Sequence, residues 1–174
     1  GFSVDGLNPL EVHSAGLACW YTGTKPQQHA WPNKTFFGSY VASGYGTDDK
    51  FDAPYAIRNN TNPVVNNTAG SIVGYKYFNF TSTHGRKDLQ LVLNLIPEGV
   101  DGRIIVMADR PWTSQGGTVL GTLEIKSDMP QMPTDLSVEL PAAGDLTGKH
   151  AIFLKFESEV HDKSICVLNT LIFK

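Results

Sequence analysis

Tryptophan and tyrosine residues stand in the polar connecting segments of this chain, where an aromatic ring can bind a sugar. Trp112 lies in a segment of Arg, Thr, Ser, Gln and Gly, and Trp31 lies in an Asn- and Thr-rich stretch. An exposed indole or phenol offers a flat apolar face that a sugar ring can cover, and neighbouring polar groups can bind its hydroxyls. We therefore predict carbohydrate contacts by five residues: Trp112, Trp31, Tyr40, Tyr45 and Tyr55.

Motifs for catalysis are missing from the sequence. It contains no Gly-x-Ser-x-Gly, no His-Glu-x-x-His and no phosphate-binding loop, and its five histidines lack metal-ligand spacing. The acidic residues beside Gly or Pro are interpreted as turn formers, although Asp48, Asp49 and Asp52 are also a candidate cation-binding cluster. We predict a non-catalytic domain without a cofactor.

Composition and charge restrict the class of partner. The 174 residues hold 14 Lys+Arg against 17 Asp+Glu, a net charge of −3, whereas a nucleic-acid-binding domain needs a basic face. The chain is 41% hydrophobic, which is typical of a folded domain, yet no stretch approaches 18 consecutive apolar residues. We expect neither a nucleic-acid partner nor a membrane partner.

Strand-type alternation dominates the second half of the sequence. Apolar residues fall on one parity in 88–97 and in 134–140, as they do in a pleated strand with one buried face. Further strands are predicted over 10–14, 17–21, 71–80, 103–108, 118–126, 149–157 and 164–173. Short turn signals separate them, with no helical crossovers, and this indicates an all-β antiparallel β-sandwich of jelly-roll type. Trp20, Tyr75 and Tyr77 lie in these strand-like runs and are predicted to be core residues.

One domain is expected to span residues 1–174, with a long loop-rich insertion around 22–70. Loops beyond about 12–15 residues are usually functional or disordered, and the aromatic content of this one favours function. Because the chain opens at Gly1 without a Met, we expect it to be a segment of a longer polypeptide, with any export signal upstream. The two cysteines, Cys19 and Cys166, form either one bridge or two buried free thiols.

Several segments, taken in order, resemble family 6 carbohydrate-binding modules. They are NPL at 8–10 followed by Trp20, GSIVGYKYFNF at 70–80, GRIIV at 102–106, GTVLGTL at 117–123, GKHAIFLKF at 148–156 and the closing strand at 168–173. Such modules are β-sandwich jelly rolls that hold polysaccharide for an attached glycoside hydrolase. The resemblance, nearest to the C-terminal domains of bacterial family 43 enzymes, implies a xylan or β-glucan ligand and a secreted setting, whether extracellular, cell-surface or periplasmic. If the first and last strands pair as in that fold, Cys19 and Cys166 come within bridging range.

The sequence departs from that family at its functional positions. Ser14, Ala15 and Gly16 stand where the family has Glu-Ala-Glu, and Asn169 stands where it has a calcium-binding Asp. A structural calcium is therefore the one ion that the resemblance allows, and its usual ligands are replaced. The family's sugar-stacking Tyr aligns near Asn66, so that site does not carry over. The alternative function is a structural domain that packs against a catalytic domain and binds no sugar.

Overall fold

Alternating apolar residues form strands along most of the chain in a computed structural model. It describes residues 5–22, 24, 26, 38–42 and 62–174, with the backbone alone for Trp20 and Tyr21. Within these residues the elements are β1 His13–Ser14, α1 Ala15–Tyr21, β2 Tyr40–Val41, β3 Val64–Val65, β4 Ile72–Asn79, β5 Gln90–Pro97, β6 Gly102–Ala108, β7 Thr118–Ile125, β8 Thr134–Glu139, β9 Lys149–Glu157 and β10 Cys166–Phe173. Short 3₁₀ turns lie at Thr81–Thr83, Thr113–Gln115 and Pro141–Asp145.

The strands form two antiparallel sheets. One runs in the order β2-β3-β10-β5-β8, with β1 also paired to β10, and the other runs β4-β9-β6-β7. The parts of the predicted insertion that are described add β2 and β3 to the first of these sheets. The predicted all-β antiparallel sandwich is confirmed. No helix among the described residues is long and apolar enough to cross a membrane.

The core lies between the two sheets and is built from one parity of each long strand. Leu91, Leu93 and Leu95 of β5 are fully buried, as the alternation in 88–97 predicts. Three phenylalanine rings close one part of this core. Phe173 meets Phe78 and Phe80 edge-on with ring centroids 5.3 Å apart in both pairs, a favoured geometry for aromatic contacts.

The prediction of a strand over 17–21 is wrong, because this segment belongs to helix α1. Four buried side chains follow the i, i+3, i+4, i+7 spacing of one helix face: Ala15, Ala18, Cys19 and, just after the helix, Thr22. Gly16 is buried as well, against Asn62. Two alanines on that face let the helix approach the sheets closely. The Thr22 hydroxyl donates to the Ala18 carbonyl oxygen at 2.9 Å and satisfies a carbonyl of the last turn.

The helix also explains which of the two alternatives for the cysteines holds: they are free thiols and not bridged. The first and last strands do pair, but this pairing ends at Ser14 opposite Thr170, and the chain then turns into α1. Cys19 therefore does not continue along β10 toward Cys166, and both are buried free thiols. Burial raises the pKa of Cys19 to about 12 and also raises that of Cys166, so both thiols stay protonated near neutral pH.

Glu98, next to the start of β10, supplies a pH-dependent contribution to stability. Burial raises the pKa of its carboxyl above the ordinary 4.5, against the opposing effect of a hydrogen bond with Ser164. A raised folded-state pKa means that the native chain loses stability as the pH rises through the ordinary and then the folded pKa. Glu98→Gln is therefore expected to raise Tm at pH 7 by about 1–3 °C and to leave it unchanged near pH 3.5. Thermal unfolding at the two pH values measures this.

The control for charge alone is Glu139→Gln, since Glu139 is an exposed carboxylate on β8. It is expected to leave Tm within about 1 °C at both pH values. If Glu98→Gln lowered Tm at pH 7, ionised Glu98 would be stabilising, contrary to this prediction.

Candidate functional site

Trp112 is presented by a short loop between β6 and β7 that its own backbone holds in place. The amides of Gln115 and Gly117 donate to the Trp112 carbonyl oxygen at 3.1 and 3.0 Å. Gly117 has to be glycine, because an added Cβ would lie 2.3 Å from the Arg110 carbonyl oxygen. The loop fixes the Trp112 backbone, while 40% of the residue surface stays exposed to solvent.

The outward side of β4, β9, β6 and β7, here called the four-stranded face, lies beside this loop. Register places Gly74, Phe153, Met107 and Val119 in one row across the four strands, with directly opposite residues sharing a face. Phe153 is half-buried and Val119 is exposed. Gly74 and Met107 are buried, so the apolar surface of this row, here called the apolar strip, that a sugar ring can cover comes from Phe153 and Val119.

Trp112 belongs to this face because of its contact with β9. The Lys155 ammonium lies 5.9 Å from the centroid of the indole, within cation–π range. Register also places Lys155 beside Ile105 of β6, in the row next to the apolar strip. The indole, an ammonium and the apolar strip are thereby neighbours on one surface.

Tyr77 is a second exposed ring on the same sheet, and its prediction as a core residue is wrong. The register of β4 against β9 shifts between Tyr75, opposite Ile152, and Phe78, opposite His150. This bulge sets Lys76 and Tyr77 both to solvent and brings Phe78 into the core in place of Tyr77. Tyr77 is 40% exposed, whereas Tyr75 is fully buried as predicted.

The other predicted sugar-binding residues lie elsewhere. Tyr40 is 49% exposed, but it stands on β2 at the edge of the six-stranded sheet and so does not belong to the four-stranded face. Trp31, Tyr45 and Tyr55 lie outside the described residues, as does the candidate cation cluster: Asp48, Asp49 and Asp52. Among the predicted residues that are described, Trp112 alone stands on the four-stranded face.

A cleft of about 480 Å³ lies at one end of the four-stranded face, where β6 begins and β9 ends. Arg103 stands there between Glu157 and Glu124 in register, and its guanidinium lies 2.7 Å from the Glu157 carboxylate. The Ser127 amide donates to Asp101 at 2.6 Å and lowers the pKa of that carboxyl. The lowered pKa keeps Asp101 ionised, whereas an acid catalyst needs a carboxyl whose pKa is raised.

A second cleft, of about 500 Å³, lies toward the other end of the face, near the Trp112 loop. Lys76, Tyr77, Arg110 and Lys149 line it. The Lys149 ammonium lies 5.5 Å from the Tyr77 ring centroid. Sequence reasoning missed these residues. The one available signal was the position of Phe78 and Phe80, because a strand can bury both of them together with Val73 and Tyr75 only if it contains a bulge.

The calcium that the resemblance allows does not fit this chain. Gly16 stands in place of the second Glu of the family's Glu-Ala-Glu. A Cβ on Gly16 would lie 2.3 Å from the Asn62 carbonyl oxygen, so no carboxylate side chain fits there. The Asn169 amide donates to Asn94 Oδ1 at 3.0 Å, and Ser14 Oγ donates to the Asn62 carbonyl at 3.3 Å. Asn169 Oδ1 is buried without a hydrogen-bond partner, but a set that contains no carboxylate is a poor match for Ca²⁺. Among the described residues no three acidic, histidine or cysteine side chains group as metal ligands.

Comparison with known proteins gives structural relatives only. No family model matches the chain, and no curated protein sequence is similar to it. A family 6 carbohydrate-binding module studied by sub-site dissection matches at TM-score 0.58 and 19% identity, covering 99% of this chain and 98% of its own. A β-1,3-glucan-binding family 6 module from Bacillus halodurans matches at TM-score 0.58 and 15% identity, covering 98% and 99%. This chain has the fold of family 6 carbohydrate-binding modules.

A longer relative shows the same fold as one part of an enzyme. A glycoside hydrolase family 43 arabinoxylan arabinofuranohydrolase from Bacillus subtilis, in complex with cellotetraose, matches at TM-score 0.63 and 17% identity. The match covers 98% of this chain but 28% of the hydrolase chain. The family 6 fold confirms the architecture that the resemblance implied.

Proposed function

We propose that this chain is a non-catalytic carbohydrate-binding domain and that its binding surface is the four-stranded face. The observation that carries the proposal is the presence of two exposed rings, Trp112 and Tyr77, on one sheet beside the apolar strip. Sugar rings stack on such side chains through their C–H faces, while Arg110, Gln115 and the lysines provide donors for hydroxyl groups. Family 6 modules whose structures match are described as binding β-1,3-glucan or cellobiose.

The proposed ligand is a polymer of the xylan or β-glucan class. Each aromatic stack contributes roughly 0.5–1.5 kcal/mol, so two stacks with hydrogen bonds give an affinity weaker than about 1 μM. Such an affinity suffices for a domain that keeps an attached glycoside hydrolase near its substrate, because tethering raises the local concentration of the enzyme. The proposal places the domain in a secreted bacterial system that degrades plant-type polysaccharide.

The alternative is a structural domain that packs against a catalytic domain and binds no sugar. Departure from the family's sugar-binding positions favours it. In that function the exposed rings would be buried at the core of a domain interface. The same rings are free to stack on sugar in the binding function.

Affinity electrophoresis on gels containing soluble xylan, barley β-glucan, dextran or no polymer tests the proposal. Retardation of the native chain by xylan or β-glucan is expected, with no retardation by dextran. Tyr77→Ala is expected to weaken retention about three- to tenfold, since one stacking ring is lost. Tyr40→Ala removes a ring of similar exposure from the six-stranded sheet. If Tyr40→Ala lost retention and Tyr77→Ala did not, the binding site would lie at the β2 edge. If none of the polymers retarded the native chain, the packing function would be favoured.

A further inference from the structure

The loop that carries Trp112, residues 109–117, leaves β6 through a residue with an unusual backbone. Asp109 has φ +71, and among the described residues Asn66 is the only other non-glycine residue with a positive φ. A left-handed backbone is unfavourable for any residue with a Cβ, although Asp and Asn tolerate it better than most. Such conformations persist only where surrounding contacts hold them, so the contacts of Asp109 show what its conformation serves.

Two hydrogen bonds join Asp109 to β9. Its amide donates to the Ala151 carbonyl oxygen at 2.8 Å. Its Oδ1 atom lies 2.7 Å from Nδ1 of His150, the residue before Ala151. The main chain and the side chain of Asp109 are thus held by adjacent residues of one strand, which fixes the direction in which the chain leaves β6.

His150 is held on its other side as well. Its Nε2 atom lies 3.0 Å from the Thr147 carbonyl oxygen, in the turn before β9, and its ring centroid lies 6.4 Å from that of Phe80. A carboxylate and a carbonyl oxygen both accept hydrogen bonds, so Nδ1–H donates to Asp109 both in the imidazolium and in the neutral Nδ1–H tautomer. A ring with a partner at each nitrogen is a firm support for the loop.

The chain then turns back toward the four-stranded face. The Arg110 amide donates to the Ala108 carbonyl oxygen at 2.9 Å and closes a γ-turn around Asp109, whose positive φ is that of the rare, strained form. Trp112 follows two residues later, and its ring centroid lies 5.9 Å from the ammonium of Lys155, well inside β9. The strained turn therefore directs the indole onto the sheet.

The contacts of Asp109 are also the hydrogen-bonded link between this loop and β9. Among the described residues, the other hydrogen bonds of 110–117 run within the loop or back to β6. The loop keeps its internal shape without Asp109, because the Trp112 carbonyl accepts from the amides of Gln115 and Gly117. What the Asp109–His150 pair adds is the orientation of the loop relative to the four-stranded face.

We propose that Asp109 and His150 are positioning residues of the binding surface, which direct the Trp112 loop onto the four-stranded face and hold the indole where a sugar stacks on it. The effect on binding rests on the proposed function, whereas the placement of the ring is a property of the chain without ligand. Asp109 lines the 500 Å³ cleft but His150 does not, so a change at His150 reaches the sugar only through Asp109.

Two substitutions of His150 separate its two hydrogen bonds. The amide nitrogen of Asn stands close to the place of Nδ1, and that of Gln stands close to the place of Nε2. His150→Asn therefore keeps a donor toward Asp109, whereas His150→Gln keeps a donor toward Thr147 only. Retention on xylan or β-glucan gels is expected to fall about threefold for His150→Gln and to stay near the native value for His150→Asn. Their Tm values are expected to agree within about 2 °C, since each variant keeps one of the two bonds.

The placement of the ring is measured without any sugar. Nuclear Overhauser contacts between the Trp112 indole and the Lys155 methylene protons are recorded by NMR, with Trp112→Phe to identify the indole signals. These contacts are expected in the native chain and in His150→Asn, and their loss is expected in His150→Gln. Asp109→Gly permits the left-handed backbone but removes the carboxylate, and it is also expected to lose them.

Asn66→Gly is the matched control, because it introduces glycine at the other positive-φ residue, which precedes β4. It is expected to keep both the indole contacts and native retention. Native contacts in His150→Gln and Asp109→Gly would overturn the inference, and so would their loss in Asn66→Gly. Lost contacts with native retention would show that binding does not use this placement of the ring. If the native chain bound no polymer, the proposed function would fail, and the indole contacts alone would confirm or overturn the positioning role.

Discussion

Trp112→Ala is expected to weaken retention on xylan or β-glucan gels about tenfold while leaving Tm within about 3 °C of the native value. The indole is the larger of the two exposed rings on the four-stranded face, and its contact area is the larger part of any stacking energy. Because 40% of Trp112 is already exposed and its loop is held by backbone hydrogen bonds of its carbonyl group, truncating the side chain leaves the loop in place.

Two further variants serve as controls for this measurement. Trp112→Phe keeps an aromatic face and is expected to recover about half of the lost binding free energy, as stacking area predicts. Met132→Ala removes an exposed apolar side chain from the segment between β7 and β8 and is expected to bind normally. If Trp112→Ala retained native affinity, the indole would be outside the site. A fall in Tm beyond about 5 °C would make it a core residue instead.

The long strands of this chain could be predicted from sequence because their side chains alternate between the core and the solvent. In β5 and β8 every second residue faces the core, and that alternation fixes the element, its faces and its parity together. Register then follows from hydrophobic burial, since slipping by one residue would expose Leu91 and its partners. The sandwich fold could therefore be predicted from the sequence.

The errors arise where two periods fit the same few residues. In 15–21 a helix buries Ala15, Ala18 and Cys19, while a strand would bury Leu17 and Cys19, and seven residues are too few to distinguish these patterns. Packing against the sheets decides between the helix and the strand, since two alanines allow a close approach that larger side chains would not. The alternative of a bridge between Cys19 and Cys166 depended on the same assignment, because it required Cys19 to lie on a strand beside β10.

The bulge in β4 had a larger effect on the site than on the fold. It changes which of two adjacent aromatics, Tyr77 and Phe78, is buried, and the core accepts the more apolar ring. The exposed Tyr77 and Lys76 then reach the surface side by side. The 500 Å³ cleft near the Trp112 loop likewise could not be predicted from the sequence, because Lys76, Arg110 and Lys149 are brought together only by pairing of strands far apart in the chain.

Gly144→Ala is expected to produce the largest loss of stability of any single methyl addition considered for this chain. Gly144 lies buried in the 3₁₀ turn Pro141–Asp145, with its carbonyl oxygen 2.7 Å from the amide of Gly85. A Cβ there would fall 1.7 Å from the Arg86 carbonyl oxygen and 2.7 Å from its carbon. Both are backbone atoms and cannot rotate away, so the two segments must separate and the Gly85 bond weakens. A cost of about 3–5 kcal/mol and a fall in Tm of roughly 10 °C follow.

Gly148→Ala separates this steric effect from the general cost of replacing glycine. Gly148 has φ +72 but no atoms within 4 Å of an added Cβ, so its substitution carries only the strain of a left-handed alanine, about 1–2 kcal/mol. Urea unfolding of the two variants compares the costs directly. Gly144→Ala is expected to lose at least twice the free energy of unfolding that Gly148→Ala loses. Equal losses would mean that the 84–86 and 142–146 segments part easily, and that the close approach of their backbones contributes little to the stability of the sandwich.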